Sequence, residues 1–99
     1  VMQFSEKTKA KIIELCKKNK IRELSLFGSR ARGDNRIESD YDFLVEFLPN
    51  VRIGLIEFAN VKLELEDLLG KGVDLVPKAG LKRRIRHRVL SEAKDVYAG

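Results

Sequence analysis

The sequence predicts one α/β domain, a mixed sheet of three or more strands with flanking helices. Three observations lead to this fold class. The chain has 99 residues, the size of a single domain, so residues 1–99 are treated as one unit. Hydrophobic residues make up 43% and charged residues 35%, a balance typical of globular chains. Segments with helical spacing of apolar residues alternate with short runs rich in branched and aromatic residues.

Each element is delimited by its own start and stop signals. Ser5 is a typical helix N-cap, Gly28 closes the first apolar run, and glycines follow the longest helical pattern. The predicted elements are a helix from Ser5 to Asn19 or Lys20, a strand over 21–27, a turn or short helix over 28–36, a strand over 41–48, a helix over 52–69, a strand over 73–76, a helix over 81–90 and a tail over 95–97 that frays or adds an edge strand.

Charge and composition exclude several classes of protein. The net charge of +5 favours anionic partners such as nucleotides, nucleic acid or an acidic protein surface, although a basic surface also serves solubility. The longest apolar run is far shorter than the roughly 20 residues of a membrane span, and no apolar signal segment is apparent. A single cysteine and a single histidine form neither a disulfide nor a zinc site. We therefore expect a cytoplasmic protein without a membrane partner.

The turn after the first strand is a candidate phosphate site. A strand that ends at Gly28-Ser29 and turns into a helix exposes backbone N–H groups, and these donate to phosphate oxygens. Gly28 lets an anion approach, Ser29 adds a hydroxyl donor, and Arg30 or Arg32 adds positive charge. Turns of this composition are common, so the motif alone does not establish nucleotide binding.

Three aspartates are candidate metal ligands. Asp40 and Asp42 are two residues apart, which places both carboxylates on one face of a strand, and Asp74 lies within a third, otherwise apolar strand. Carboxylates this close repel one another unless a cation lies between them, and hard oxygen ligands suit Mg²⁺ or Mn²⁺. The alternatives are structural: Asp40 caps a turn, Asp42 pairs with an arginine, and Asp74 accepts from loop amides.

Taken together, these motifs resemble the minimal nucleotidyltransferase family of the DNA polymerase β-like superfamily. The resemblance rests on GSRARG at 28–33, SDYDFLV at 39–45 and VDLV at 73–76. It extends over most of the chain, from the first strand to the last helix. Phe43 departs from the smaller aliphatic residue that the family usually carries, which is a packing change on the strand.

The resemblance implies a small nucleotidyltransferase fold and a role for each motif. Gly28 and Ser29, with Arg30, would bind the triphosphate of ATP, while Asp40 and Asp42 would ligate two Mg²⁺ ions (Mn²⁺ is also suitable). Asp74 would complete one metal site and help to deprotonate the attacking hydroxyl. The implied reaction is attack of a hydroxyl on the α-phosphorus of the nucleotide, with pyrophosphate leaving.

The family also implies a macromolecular acceptor, because no element is left over to bind one. Small members of this kind resemble antitoxins that transfer AMP to a tyrosine of a HEPN ribonuclease toxin and thereby inactivate the toxin. The resemblance therefore implies a HEPN toxin as partner and an oligomer of the two proteins. Two alternatives remain. One is a non-catalytic antitoxin that acts by binding. The other is a nucleic-acid-binding module using the basic helix at 82–88. No aromatic residue interleaves that helix, so nucleic acid is not expected as the direct substrate.

Overall fold

The computed structural model describes residues 4–99 and contains one four-stranded sheet with helices on both faces. The first three residues of the expected domain lie outside the described part. Within residues 4–99, no helix has the length and apolar character needed to cross a membrane. The elements are α1 (Glu6–Lys18), β1 (Ile21–Phe27), α2 (Ser29–Arg32), β2 (Tyr41–Phe47), α3 (Leu55–Leu69), β3 (Val73–Pro77), a 3-10 turn (Lys78–Gly80), α4 (Arg83–Glu92) and β4 (Lys94–Ala98).

The sheet is mixed, as the sequence predicts, and its strand order is β3-β2-β1-β4. β1 pairs antiparallel with both β2 and β4, whereas β3 pairs parallel with β2 through the α3 crossover. The tail therefore forms an edge strand, in which Tyr97 lies opposite Leu24 of β1. β1 is antiparallel to β2, and β2 is parallel to β3. The end of β1 and the starts of β2 and β3 therefore lie at the same end of the sheet.

The two faces of the sheet are covered unequally. On one face, α1 and α3 pack on a large core that includes Phe43, Leu24 and Ile12, each 0% exposed. On the other face, Val89 of α4 packs in a much smaller core with Leu44 and Leu81. Since side chains alternate along a strand, odd-numbered residues of β2 enter the large core while Asp42 and Leu44 face the α4 side.

Several boundaries differ from the sequence prediction for local reasons. The helix expected from residue 52 begins at Leu55, because Gly54 is its N-cap and the Gly54 N–H donates to the Glu57 side chain at 3.0 Å. The helix expected over 81–90 spans Arg83–Glu92, so the buried Leu81 precedes it, and Leu90 within it is 39% exposed. Cys16 is buried, and burial raises the pKa of its thiol to about 12.

Candidate active site

Three strand ends meet on one side of the sheet, and the predicted site residues lie there. β1 is antiparallel to β2, so its last residue, Phe27, pairs with Asp42 near the start of β2. β3 is parallel to β2, so it starts beside the same end, and Asp42 pairs with Asp74. This register makes the strands of Asp42 and Asp74 neighbours. Asp42 therefore lies next to the Gly28 turn, and Asp74 lies beside Asp42 on the following strand of the sheet.

Gly72 is a site residue that the sequence analysis missed. It immediately precedes β3, and its carbonyl accepts from the Tyr41 N–H at 2.9 Å. A Cβ atom at Gly72 would lie only 3.0 Å from the carboxyl carbon of Asp40. The lack of a side chain therefore leaves the room that Asp40 occupies between the starts of β2 and β3. A glycine two residues before Asp74 is the only trace of this contact in the sequence, and glycines before strands are common.

The Asp42 carboxyl is partly buried among other carboxylates that repel it. The pKa of Asp42 is raised above its ordinary value, first by burial of its carboxyl and then by repulsion from Asp74 and Asp40, and Arg32 opposes this only in part. The ion pairs of the described residues join other side chains, so the alternative that an arginine pairs with Asp42 is not realised. Asp74 is exposed rather than buried in its strand, because it lies near the start of β3.

The chemistry of this donor set fits a divalent cation. Carboxylate oxygens are the ligands that Mg²⁺ prefers, and positive charge is what the repelling carboxylates lack. Within residues 4–99, no three carboxylate, imidazole or thiol groups are already arranged as a closed set of ligands. Asp40, Asp42 and Asp74 would therefore have to draw together around an ion, with phosphate oxygens and water completing its coordination.

Gly28 is required at the turn for two reasons. Its backbone has φ +77°, in the left-handed region that favours glycine, and a Cβ atom would lie 3.0 Å from the carboxyl carbon of Asp42. The missing side chain thus makes room for Asp42, in addition to the expected access for an anion. The helix that follows, α2, has only four residues, so its macrodipole is small. Phosphate binding here would depend on individual N–H groups and on the Ser29 hydroxyl.

Arg30 has a different environment from the one expected for a nucleotide ligand. Its side chain is buried, and its guanidinium lies 4.1 Å from the ring centre of Tyr41. The guanidinium donates to the Ser39 carbonyl at 2.8 and 3.0 Å and to the Ile37 carbonyl at 3.0 Å. These contacts tie the loop between α2 and β2 to the core, and so they position Asp40. The expected role of Arg30 in nucleotide binding stays a prediction.

Arg32, in contrast, is exposed and lies at the turn. Its guanidinium pairs with Asp34 at 3.1 Å and with Glu92 of α4 at 3.2 Å. Glu92 also accepts from the Gly28 N–H at 3.3 Å. Sequence reasoning assigned Glu92 no role, because the residue is 64 positions from Gly28 and follows a run of arginines.

The basic segment at 82–88 forms the start of α4 and is exposed except for Ile85. Val89 anchors this helix in the smaller core, and its last residue, Glu92, reaches the Gly28 turn. His87 is exposed on the surface of α4. The arginines thus extend away from the turn along a helix whose C-terminal end contacts it.

The comparisons with known proteins agree with this geometry. The family described as "Polymerase beta, Nucleotidyltransferase" matches residues 10–98. A Methanocaldococcus jannaschii protein assigned as a protein adenylyltransferase is 39% identical over 88 residues, which cover 89% of this chain and 92% of that protein. Protein adenylyltransferase MntA of Thermococcus cleftensis is 42% identical over 81 residues, covering 80% of this chain and 78% of that protein.

A similar fold occurs in a crystal structure of a toxin–antitoxin with AMP-PNP. The TM-score is 0.75 and the sequence identity is 26%, over 92% of this chain and 73% of that chain. The matched region includes the Gly28 turn, all three aspartates and the four strands, since the family match extends from residue 10 to residue 98. This chain therefore belongs to the polymerase β-like nucleotidyltransferase family, whose mixed sheet with flanking helices it has, and it is a nucleotidyltransferase.

Proposed function

We propose that this nucleotidyltransferase transfers AMP from ATP to a tyrosine hydroxyl of a HEPN ribonuclease toxin and thereby acts as its antitoxin. The observation that carries the proposal is the register that pairs Asp42 with Asp74 beside the Gly28 turn. It joins a carboxylate cluster suited to divalent cations to a turn suited to a triphosphate. The adenylyltransferase relatives and the toxin–antitoxin structure with AMP-PNP support the nucleotide and the partner.

The residues would divide the reaction as follows. Gly28 and Ser29 would hold the triphosphate, and Asp40 and Asp42 would hold two Mg²⁺ ions, with Asp74 completing one site. The bound ions would neutralise charge on the attacking and leaving oxygens. The tyrosine oxygen forms a bond to the α-phosphorus, the bond from that phosphorus to the β-phosphate oxygen breaks, and pyrophosphate leaves with the electron pair. Asp74 would accept the hydroxyl proton.

The test is the intact mass of a HEPN ribonuclease toxin, co-expressed with this chain or added to it, measured after incubation with ATP and Mg²⁺. We expect a mass increase of one or more AMP units on the toxin. The increase should disappear in the double variant Asp40→Asn/Asp42→Asn and on addition of a chelator, and peptide mapping should place AMP on tyrosine. Asp67→Asn, which removes an exposed carboxylate of α3, is the matched control and should retain transfer.

Two results would contradict the proposal in different ways. An unmodified toxin in a tight complex with this chain would indicate an antitoxin that acts by binding alone. Full transfer by the Asp40→Asn/Asp42→Asn variant would show that the carboxylate cluster is not the active site.

A further inference from the structure

The side chain of Glu92 occupies the turn at which the triphosphate is proposed to bind. Its Oε1 atom accepts from the Gly28 N–H at 3.3 Å, and both of its carboxylate oxygens lie 3.2 Å from Nη1 of Arg32. The Glu92 side chain is only 18% exposed, whereas the Arg32 side chain that it pairs with is 47% exposed. A backbone amide and a guanidinium are the donors that a phosphate group uses.

This carboxylate lies where negative charge is already in excess. Glu92 is among the groups that raise the pKa of Asp42, together with Asp74 and Asp40. Two donors compensate for its charge: the Arg32 guanidinium and the Gly28 amide. A triphosphate at the same turn would need these donors and would be repelled by the Glu92 carboxylate. The two anions therefore compete for one position.

The contact between Glu92 and the Gly28 N–H can be broken by a movement of the Glu92 side chain alone. A hydrogen bond of 3.3 Å is at the long end of the range, so it is weak. The backbone of Glu92 is fixed, because only Ala93 separates it from β4 and the Ala93 N–H donates to the Val89 carbonyl at 3.0 Å. Glu92 can therefore leave the turn by rotating its side chain while α4 stays in place.

We propose that Glu92 is a positioning residue that holds Arg32 and the Gly28 amide until the triphosphate displaces its carboxylate and takes over both donors. This inference rests on the proposed function, because it assigns the triphosphate to the Gly28 turn. It gives the last residue of α4 a part in nucleotide binding, and it makes Arg32 the arginine that contacts phosphate.

The test is the affinity for ATP, measured by calorimetry without divalent cations, for the unaltered chain and Glu92→Gln. Glutamine keeps the size of the side chain and removes the competing charge, so ATP should bind about tenfold more tightly, a gain of about 1.4 kcal/mol. In amide NMR spectra, the Gly28 signal of Glu92→Gln should be shifted before ATP is added. In the unaltered chain the same signal should shift only upon ATP binding.

A control and a second variant separate this role from a general structural effect. Glu64→Gln removes a carboxylate that pairs with Lys18 between α1 and α3, and ATP affinity should not change. Glu92→Asp keeps the charge but shortens its reach, so it should also shift the Gly28 signal. It provides the spectral test if Glu92→Gln does not fold.

The outcomes distinguish this inference from the proposed function. If ATP binds the unaltered chain and shifts the Gly28 signal, but Glu92→Gln binds no more tightly, the role of Glu92 is disproved and the proposed function stands. Weaker binding by a folded Glu92→Gln variant would likewise overturn displacement, since Glu92 would then assist ATP binding. If ATP binds neither protein, with or without Mg²⁺, both proposals fail.

Discussion

Gly28 differs from the other left-handed glycines of the chain in what surrounds it. Gly70 has φ +68° and no atom within 4 Å of an added Cβ, whereas Gly28 has φ +77° and the Asp42 carboxyl in contact. Gly70→Ala should therefore lower the free energy of unfolding by only about 1–2 kcal/mol, the cost of placing alanine in a left-handed conformation. Gly28→Ala should lower it more, because φ +77° with ψ −158° is a conformation that essentially only glycine adopts, and overpacking against Asp42 adds about 1–3 kcal/mol. Urea unfolding of both variants measures the difference, and equal losses would contradict the contact.

The raised pKa of Asp42 predicts how stability depends on pH. Its carboxyl is harder to ionise in the folded protein than in the unfolded chain, chiefly because it is partly buried. The protonated Asp42 carboxyl therefore favours the folded state. This contribution to the free energy of unfolding is fully present below the ordinary pKa of 3.8 and is lost as the pH rises through the higher pKa of the folded protein. Asparagine cannot ionise, so Asp42→Asn should gain melting temperature relative to the unaltered chain between acidic and neutral pH. A pH-independent difference in chelator-containing buffer would contradict this.

At the residue scale, the sequence predicts site residues whose type and position are chemically unusual. It misses those whose role arises only from tertiary packing. Asp42 and Asp74 are recognisable because a charge within an apolar run is unusual, and a buried charge such as that of Asp42 needs a partner. The structure leaves Asp74 exposed. Gly72 and Glu92 acquire their contacts from the parallel pairing of β3 and from the packing of α4. Neither contact has a local pattern. Arg30 and Arg32 look equivalent in sequence, and only the fold distinguishes the buried arginine from the exposed one.

At the scale of elements, the loop between α2 and β2 depends on one buried arginine. The Arg30 guanidinium binds the carbonyls of Ile37 and Ser39, and it lies on the Tyr41 ring. Arg30→Met keeps a long apolar side chain but leaves these carbonyls without their donor. We expect a loss of about 1.5–3 kcal/mol in the free energy of unfolding, the range for hydrogen bonds to charged groups.

Urea unfolding of Arg30→Met and Arg36→Met measures this dependence. Arg36 belongs to the same loop, but its side chain is exposed, so its replacement should change stability by less than about 0.5 kcal/mol. A small loss in both variants would mean that the loop is held by its own turn, in which the Arg36 N–H donates to Ser39 Oγ at 2.9 Å.

The elements themselves were largely predictable, because their boundaries are local. Ser5 caps α1 by accepting from the Thr8 N–H, and Gly70 ends α3 in a left-handed conformation. The predicted start of α3 was wrong by three residues, because Ile53 continues the apolar spacing although it precedes the cap at Gly54. The pairing partner of the tail was not predictable. The tail lies beside β1 because of where the chain emerges from α4.

At the scale of the whole molecule, the unequal cores predict unequal local stability. The large core joins α1 and α3 to the sheet through fully buried side chains such as Phe43 and Leu65. α4 is held mainly by Val89 and Leu81, with the partly buried Ile85 and Ala93. Segments with few buried apolar contacts open at lower free energy than the global unfolding transition. We therefore expect α4 to open before the sheet unfolds.

Amide hydrogen exchange measures this difference directly. Amides in the middle of β2, such as that of Phe43, should exchange only through global unfolding, while those of α4 should exchange faster and depend less on denaturant. If α4 is protected as strongly as β2, the two cores unfold together and the smaller one is not a separate unit. Because α4 carries Glu92 to the Gly28 turn, its opening would also remove the carboxylate from that turn. Since the triphosphate is proposed to displace only the Glu92 side chain, ATP should change the protection of the Gly28 amide and leave that of β2 and α4 unchanged relative to global stability.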